Sequence, residues 1–113
     1  MAPQRLERSY WMGLAELLTA ELLGKRAEIE IASRELGVQL EARWLPVMGV
    51  VYDPADDLLE IVLDGLDHII LHPRELYVDF GRSGVESLGI VDAAGSWQIV
   101  MFRDPMMLPA PRS

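Results

Sequence analysis

At Gly24 the spacing of apolar residues switches from three-and-four to strict alternation, and no later stretch returns to helical spacing. Before the switch, Leu6, Tyr10, Leu14, Leu17, Leu18 and Leu22 fall along one stripe of a helix predicted from residue 3 to about 23, with Trp11 widening the stripe. Pro3 suits a first helical turn, and Gly24 suits the position just past the last, where positive φ is cheap only without a Cβ. After the switch, Ala27, Ile29 and Ile31 alternate with Arg26, Glu28 and Glu30. Beyond Arg34-Glu35-Leu36-Gly37, Val38, Leu40, Ala42 and Trp44 alternate with Gln39, Glu41 and Arg43. Alternation of this kind belongs to sheets with one dry and one wet face, the common antiparallel case. Parallel pairing needs a crossover of a dozen or more residues, and the chain leaves room for none.

Pro46 is expected to break the second strand. Residues 47–52 and 58–63 then flank Asp53-Pro54-Ala55-Asp56-Asp57, whose proline and aspartates form turns for steric and hydrogen-bonding reasons. Further strands are predicted at about 67–72, 75–80, 85–91 and 97–102, the last pair closed by Asp92-Ala93-Ala94-Gly95-Ser96. The expected fold class is α+β: an N-terminal amphipathic helix packed on a mostly antiparallel, strongly bent sheet of six to eight strands, able to curl into a partly open barrel. Trp11, Trp44 and Trp97, with Leu88, Ile90, Ile99 and Met101, are expected in the core. Residues 1–105 read as one domain. Residues 106–113 read as a C-terminal arm, because Pro105, Pro109 and Pro111 keep it out of a central strand.

Composition narrows the chemistry. Eighteen Asp and Glu against ten Lys and Arg give a formal charge of -8, a field that repels phosphate backbones, so neither nucleic acid nor an anionic membrane is an expected partner. No cysteine is present, which removes disulfides, thiolate metal sites and cysteine nucleophiles, and a reducing cytoplasmic setting is expected. No window approaches the roughly 20 apolar residues that span a bilayer.

The two histidines, His68 and His72, lie near Asp64 and Asp67 and are the candidate functional residues together with Asp67. On a strand, residues four apart stand about 13 Å apart along the chain, too far for one zinc ion, so no metal site is expected from the pair. His68 is the position suited to a general base in an enzyme with an unrecognised site. No serine sits in a nucleophile elbow, the nine glycines spell neither a phosphate loop nor a dinucleotide fingerprint, and Asp53, Asp56 and Asp57 lack the spacing of a calcium loop. No catalytic residue and no cofactor follow. Met106, Met107 and Leu108 are the candidate interface, since apolar residues on a proline-held segment must pack on this core or on another molecule. The best functional expectation is a protein-interaction or homo-oligomerising module. A small-ligand binder using the space between helix and sheet is the alternative.

Leu45-Pro46 followed by Gly49, Tyr52-Asp53-Pro54 with Asp56-Asp57, Leu66-Asp67-His68, His72-Pro73, and Phe102-Arg103-Asp104-Pro105 leading to Met107-Leu108-Pro109 resemble an uncharacterised family of small bacterial proteins, domain of unknown function family 5335. The likeness runs from about Val38 onward. It implies no activity, cofactor or catalytic residue, and it marks Leu66-Asp67-His68 and residues 102–109 as shared features.

Overall fold

The helix is shorter than its apolar stripe predicts. In the computed structural model, which describes residues 3–82 and 84–105, the chain opens with strand β1 (Gln4–Leu6) and a single 3-10 turn (Arg8–Tyr10), and only then enters α1 (Trp11–Glu21). Leu6 is extended because β1 pairs antiparallel with a later strand, and its carbonyl accepts the Trp11 indole N–H at 3.0 Å. The buried face of the helix is Trp11, Ala15, Leu18 and Leu22, whereas Tyr10 and Leu17, both on the predicted stripe, stand 63% and 57% exposed. Gly24, at φ 88, ends the helical stretch as its residue type requires.

Seven strands follow: β2 (Arg26–Ser33), β3 (Gly37–Asp53), β4 (Leu58–Leu63), β5 (Leu66–Leu71), β6 (Glu75–Gly81), β7 (Gly84–Val91) and β8 (Trp97–Arg103). With β1 they form an eight-stranded sheet in the order β1-β6-β7-β8-β2-β3-β4-β5, every pair antiparallel. Among the described residues the sheet does not close into a barrel, and β1 and β5 are its two edges.

Pro46 does not end its strand. β3 bends at Trp44, whose φ is 50, and changes partner there: residues up to Pro46 pair with β2, and residues from Val47 onward pair with β4. Proline's missing donor falls at the handover, where Val47 N–H bonds the Lys25 carbonyl and Asp64 N–H bonds the Pro46 carbonyl, each at 2.9 Å. The side of β3 that β2 has left is covered by α1. There the Thr19 hydroxyl accepts the Val50 N–H at 2.9 Å and donates to the Val50 carbonyl at 2.8 Å. A side chain thus stands in for a missing neighbouring strand.

The bend folds the β4–β5 part of the sheet over the β6–β8 part, and α1 closes the remaining side. Leu59, Ile61 and Ile70 meet Val78, Leu88, Ile90 and Val100 in one core. The void between α1 and the sheet, lined by Trp11, Leu18, Val50, Leu59 and Leu88 among others, measures only about 10 Å³. That is barely one water; the larger space beside the helix is an open groove of about 430 Å³ where α1 meets β3, lined by Met12, Glu16, Thr19, Val51 and Tyr52 among others.

Two further expectations need correction. Trp97, Ile99 and Met101 face outward, Ile99 half-buried, because β8 turns Gln98, Val100 and Phe102 inward instead. Val38 and Leu40 are exposed on the β2–β3 hairpin, which runs past the core, and Trp44 is half-buried under the Arg103 guanidinium at 3.9 Å from its ring centre.

Candidate functional site

Every candidate residue that the structure describes lies on β5 or at its end. The strand pairs residue for residue with β4, from Leu63↔Leu66 to Leu58↔Leu71, without a bulge, after a two-residue turn in which Gly65 takes φ 89. Its alternation turns Leu66, His68 and Ile70 toward the core and Asp67, Ile69 and Leu71 toward solvent.

His68 is half-buried, and its Nε2 lies 2.7 Å from Oε1 of Gln98 on β8. The other end of that amide donates to Asp92 Oδ2 at 2.9 Å, while Asp92 Oδ1 accepts the N–H groups of Ala94 and Ser96 in the β7–β8 turn. A carboxylate can only accept, so the Gln98 amide must present its oxygen to His68, and His68 must donate from Nε2. The chain Asp92–Gln98–His68 is therefore a polar cross-link between the two parts of the folded sheet. Gln98 is the one buried polar residue among the described residues. Neither Gln98 nor Asp92 is a site residue on sequence grounds.

His72 belongs to a separate network. It follows β5 at φ 51, its N–H bonds the Asp57 carbonyl at 2.8 Å, and its Nδ1 stands 3.4 Å from Asp57 Oδ2. Asp57, itself at φ 48, also accepts Arg8 Nη1 at 2.8 Å and the Tyr52 hydroxyl at 3.1 Å. Arg8 donates further to the Tyr52 oxygen and to the Pro73 carbonyl, and lies 4.4 Å from the centre of the Trp11 ring. One arginine ties together the start of the helix, the β3–β4 turn and the β5–β6 connection. Burial pushes the Asp57 carboxyl up, but hydrogen bonds from Tyr52 and His72 and the Arg8 charge outweigh it, so its pKa lies below the ordinary aspartate value.

Asp67 faces solvent beside Glu60 of β4. Its hydrogen bond to Glu60, then burial, then its own charge, hold the Glu60 carboxyl above the ordinary glutamate range. The two histidines therefore serve different partners, and among the described residues no three His, Asp or Glu side chains gather to hold a metal ion. Met106, Met107 and Leu108 lie outside the described residues.

What remains on β5 is its outer edge. Among the described strands, β4 is its only neighbour, so one row of backbone donors and acceptors has no strand beside it. Ile69 is 50% exposed and Leu71 58%, and across Glu60 the row continues to the exposed Val51 of β3. Edges of this length are ordinarily guarded by lysine, proline or a bulge; β5 has none of these within it, and its one carboxylate is Asp67.

Comparison with known proteins gives a family without an assigned role. A family described as "Family of unknown function (DUF5335)" matches residues 2–111. An uncharacterized protein of Aquifex aeolicus (strain VF5) is 30% identical over 110 residues, covering 96% of this chain and 99% of that protein. No solved structure matches.

Proposed function

We propose that this chain, which belongs to a family of unknown function (DUF5335), is a protein-interaction module that takes an extended strand of its partner along β5. The observation that carries the reading is the bulge-free outer edge of β5, apolar at Ile69 and Leu71 and without a strand beside it among the described residues. Backbone pairing supplies attraction without regard to sequence, and the outward side chains supply selectivity. A second copy of the chain is the first partner to consider. Antiparallel pairing centred on Ile69 sets Ile69 against Ile69 and keeps the two Asp67 carboxylates about 13 Å apart, so the strand's one acidic side chain does not oppose itself.

The experiment is light scattering behind size exclusion over a roughly hundredfold concentration range. The wild-type chain should gain mass with concentration, and Ile69→Lys, which places a charge in the middle of the edge, should stay monomeric with unchanged circular dichroism. A wild-type mass that stays monomeric throughout, or one that Ile69→Lys leaves unaltered, would defeat the reading.

A further inference from the structure

A second site lies on the outer face of the β6–β8 part of the sheet, away from β5. Here Tyr77, Gly89 and Ile99 form one row across β6, β7 and β8, and Asp79 and Ser87 stand opposite one another in the neighbouring row. They line a groove of about 380 Å³ with Trp97 at its side, within the range of small-molecule sites. The indole packs against position 89, where a Cβ would stand 3.4 Å from Trp97 Cζ3, in van der Waals contact. Tyr77 and Trp97 pack with ring centres 5.3 Å apart and planes tilted by 35°, yet Trp97 stays 42% exposed.

Asp79 is the one charged residue of this lining. Asp79 Oδ1 is buried and, among the described residues, is the one such side-chain oxygen or nitrogen without a hydrogen-bond partner. A buried acceptor of this kind calls for a donor. The surroundings select its charge. Glu30 lies beside Ile99 on β2, Glu28 lies beside Met101, and Glu75 accepts the Tyr77 hydroxyl; Arg5, beside Tyr77 on β1, is the one cation paired directly to this row. We infer that the groove binds an apolar amine, its aromatic or aliphatic body against Trp97 and Ile99 and its protonated nitrogen donating to Asp79. A hydrogen-bonding ammonium fits the site better than a quaternary one, since only the former has an N–H for Asp79.

The test uses the full-length chain and three probes of one shape: phenethylammonium, neutral 2-phenylethanol and anionic phenylacetate, titrated while the amide signals of Gly89 and Ile99 and the Trp97 indole signal are followed by NMR. Phenethylammonium should bind at least roughly tenfold more tightly than the alcohol, with phenylacetate weakest. Asp79→Asn, close in size but uncharged, should collapse that preference to less than about twofold, and Gly89→Val, whose branches press on the Trp97 indole, should weaken all three responses. Equal affinity for ammonium and alcohol in the wild type overturns the proposal whether or not either variant folds. So does an undiminished preference in Asp79→Asn. Contacts between the Met106 or Met107 methyl groups and Trp97 that phenethylammonium leaves unaltered would assign the groove to the chain's own C-terminal residues, and would overturn it as well.

Discussion

Asp57 concentrates more interactions than any other side chain near β5, and its charge state makes a measurable demand on stability. Its pKa is depressed in the folded protein, so its contribution is complete above the unfolded value of about 4 and is lost as pH falls through the lower folded value. Asp57→Asn keeps the size and removes the charge. With Arg8 and Asp57 side chains 49% and 35% exposed, screening limits the ion pair to roughly 0.2–1 kcal/mol. Urea unfolding at pH 6 should therefore show the variant less stable by about that amount, and the gap should close toward pH 2.5. A gap that widens in acid would mean that the carboxylate is not held by Arg8, Tyr52 and His72. Gln98 makes the companion case. Gln98→Leu should cost about 1–2 kcal/mol, the low end of the range for unpaired buried groups, because His68 is only half-buried. The histidines are legible in the sequence because only two exist, and Asp67-His68 precedes Ile69-Ile70-Leu71, which reads as a strand ending at Pro73. Gln98 was illegible for a physical reason: Trp97, Ile99 and Met101 on one parity and Val100 and Phe102 on the other make both faces of β8 apolar, so period alone could not choose the inward one.

At the scale of elements, the helix and β3 depend on each other. β3 loses β2 as a neighbour after its bend, and the exposed backbone of Val50 is taken up by Thr19. Thr19→Val preserves shape while leaving a part-buried N–H and C=O without partners, and should cost about 1–3 kcal/mol. Thr19→Ser, which retains the hydroxyl, should cost appreciably less. Thermal unfolding of the two variants checks this, and equal losses would mean that packing rather than the hydroxyl joins helix to strand. The antiparallel sense of the sheet and the two hairpins around residues 34–37 and 53–57 were readable, because alternation and turn chemistry are local properties. The first turn and a half of the predicted helix was not. Leu6 fits helical spacing, but its neighbours on β6 and the Trp11 indole bond lie far away or across a turn, and such contacts override a stripe. Pro46 misled for the converse reason. Proline is excluded from a strand only where its N–H would be needed, and at a change of partner it is not.

For the whole molecule, the tension lies between an apolar edge and a strongly acidic surface. Two copies meeting along β5 each bring a charge of -8 into proximity, so Coulomb repulsion opposes what Ile69, Leu71 and backbone pairing favour. Exposed charges are screened beyond a Debye length of about 10 Å at 0.1 M salt and about 3 Å at 1 M, whereas backbone pairing and apolar burial are not weakened by screening. Self-association through this edge should therefore strengthen with salt, by roughly severalfold in Kd between 0.05 and 0.5 M sodium chloride. Acid should act in the same direction. Glu60, whose pKa is raised by Asp67, takes up its proton earlier than ordinary glutamates as pH falls, and it lies between Val51 and Ile69 in the apolar row. Glu60→Gln should reproduce at neutral pH part of the gain that the wild type shows at pH 5. Sedimentation equilibrium across salt and pH decides the matter. Association that weakens with added salt would mean that ion pairs hold the copies together, and would move the contact away from β5 to a surface where cations such as Arg5 and Arg74 face carboxylates of the neighbouring copy.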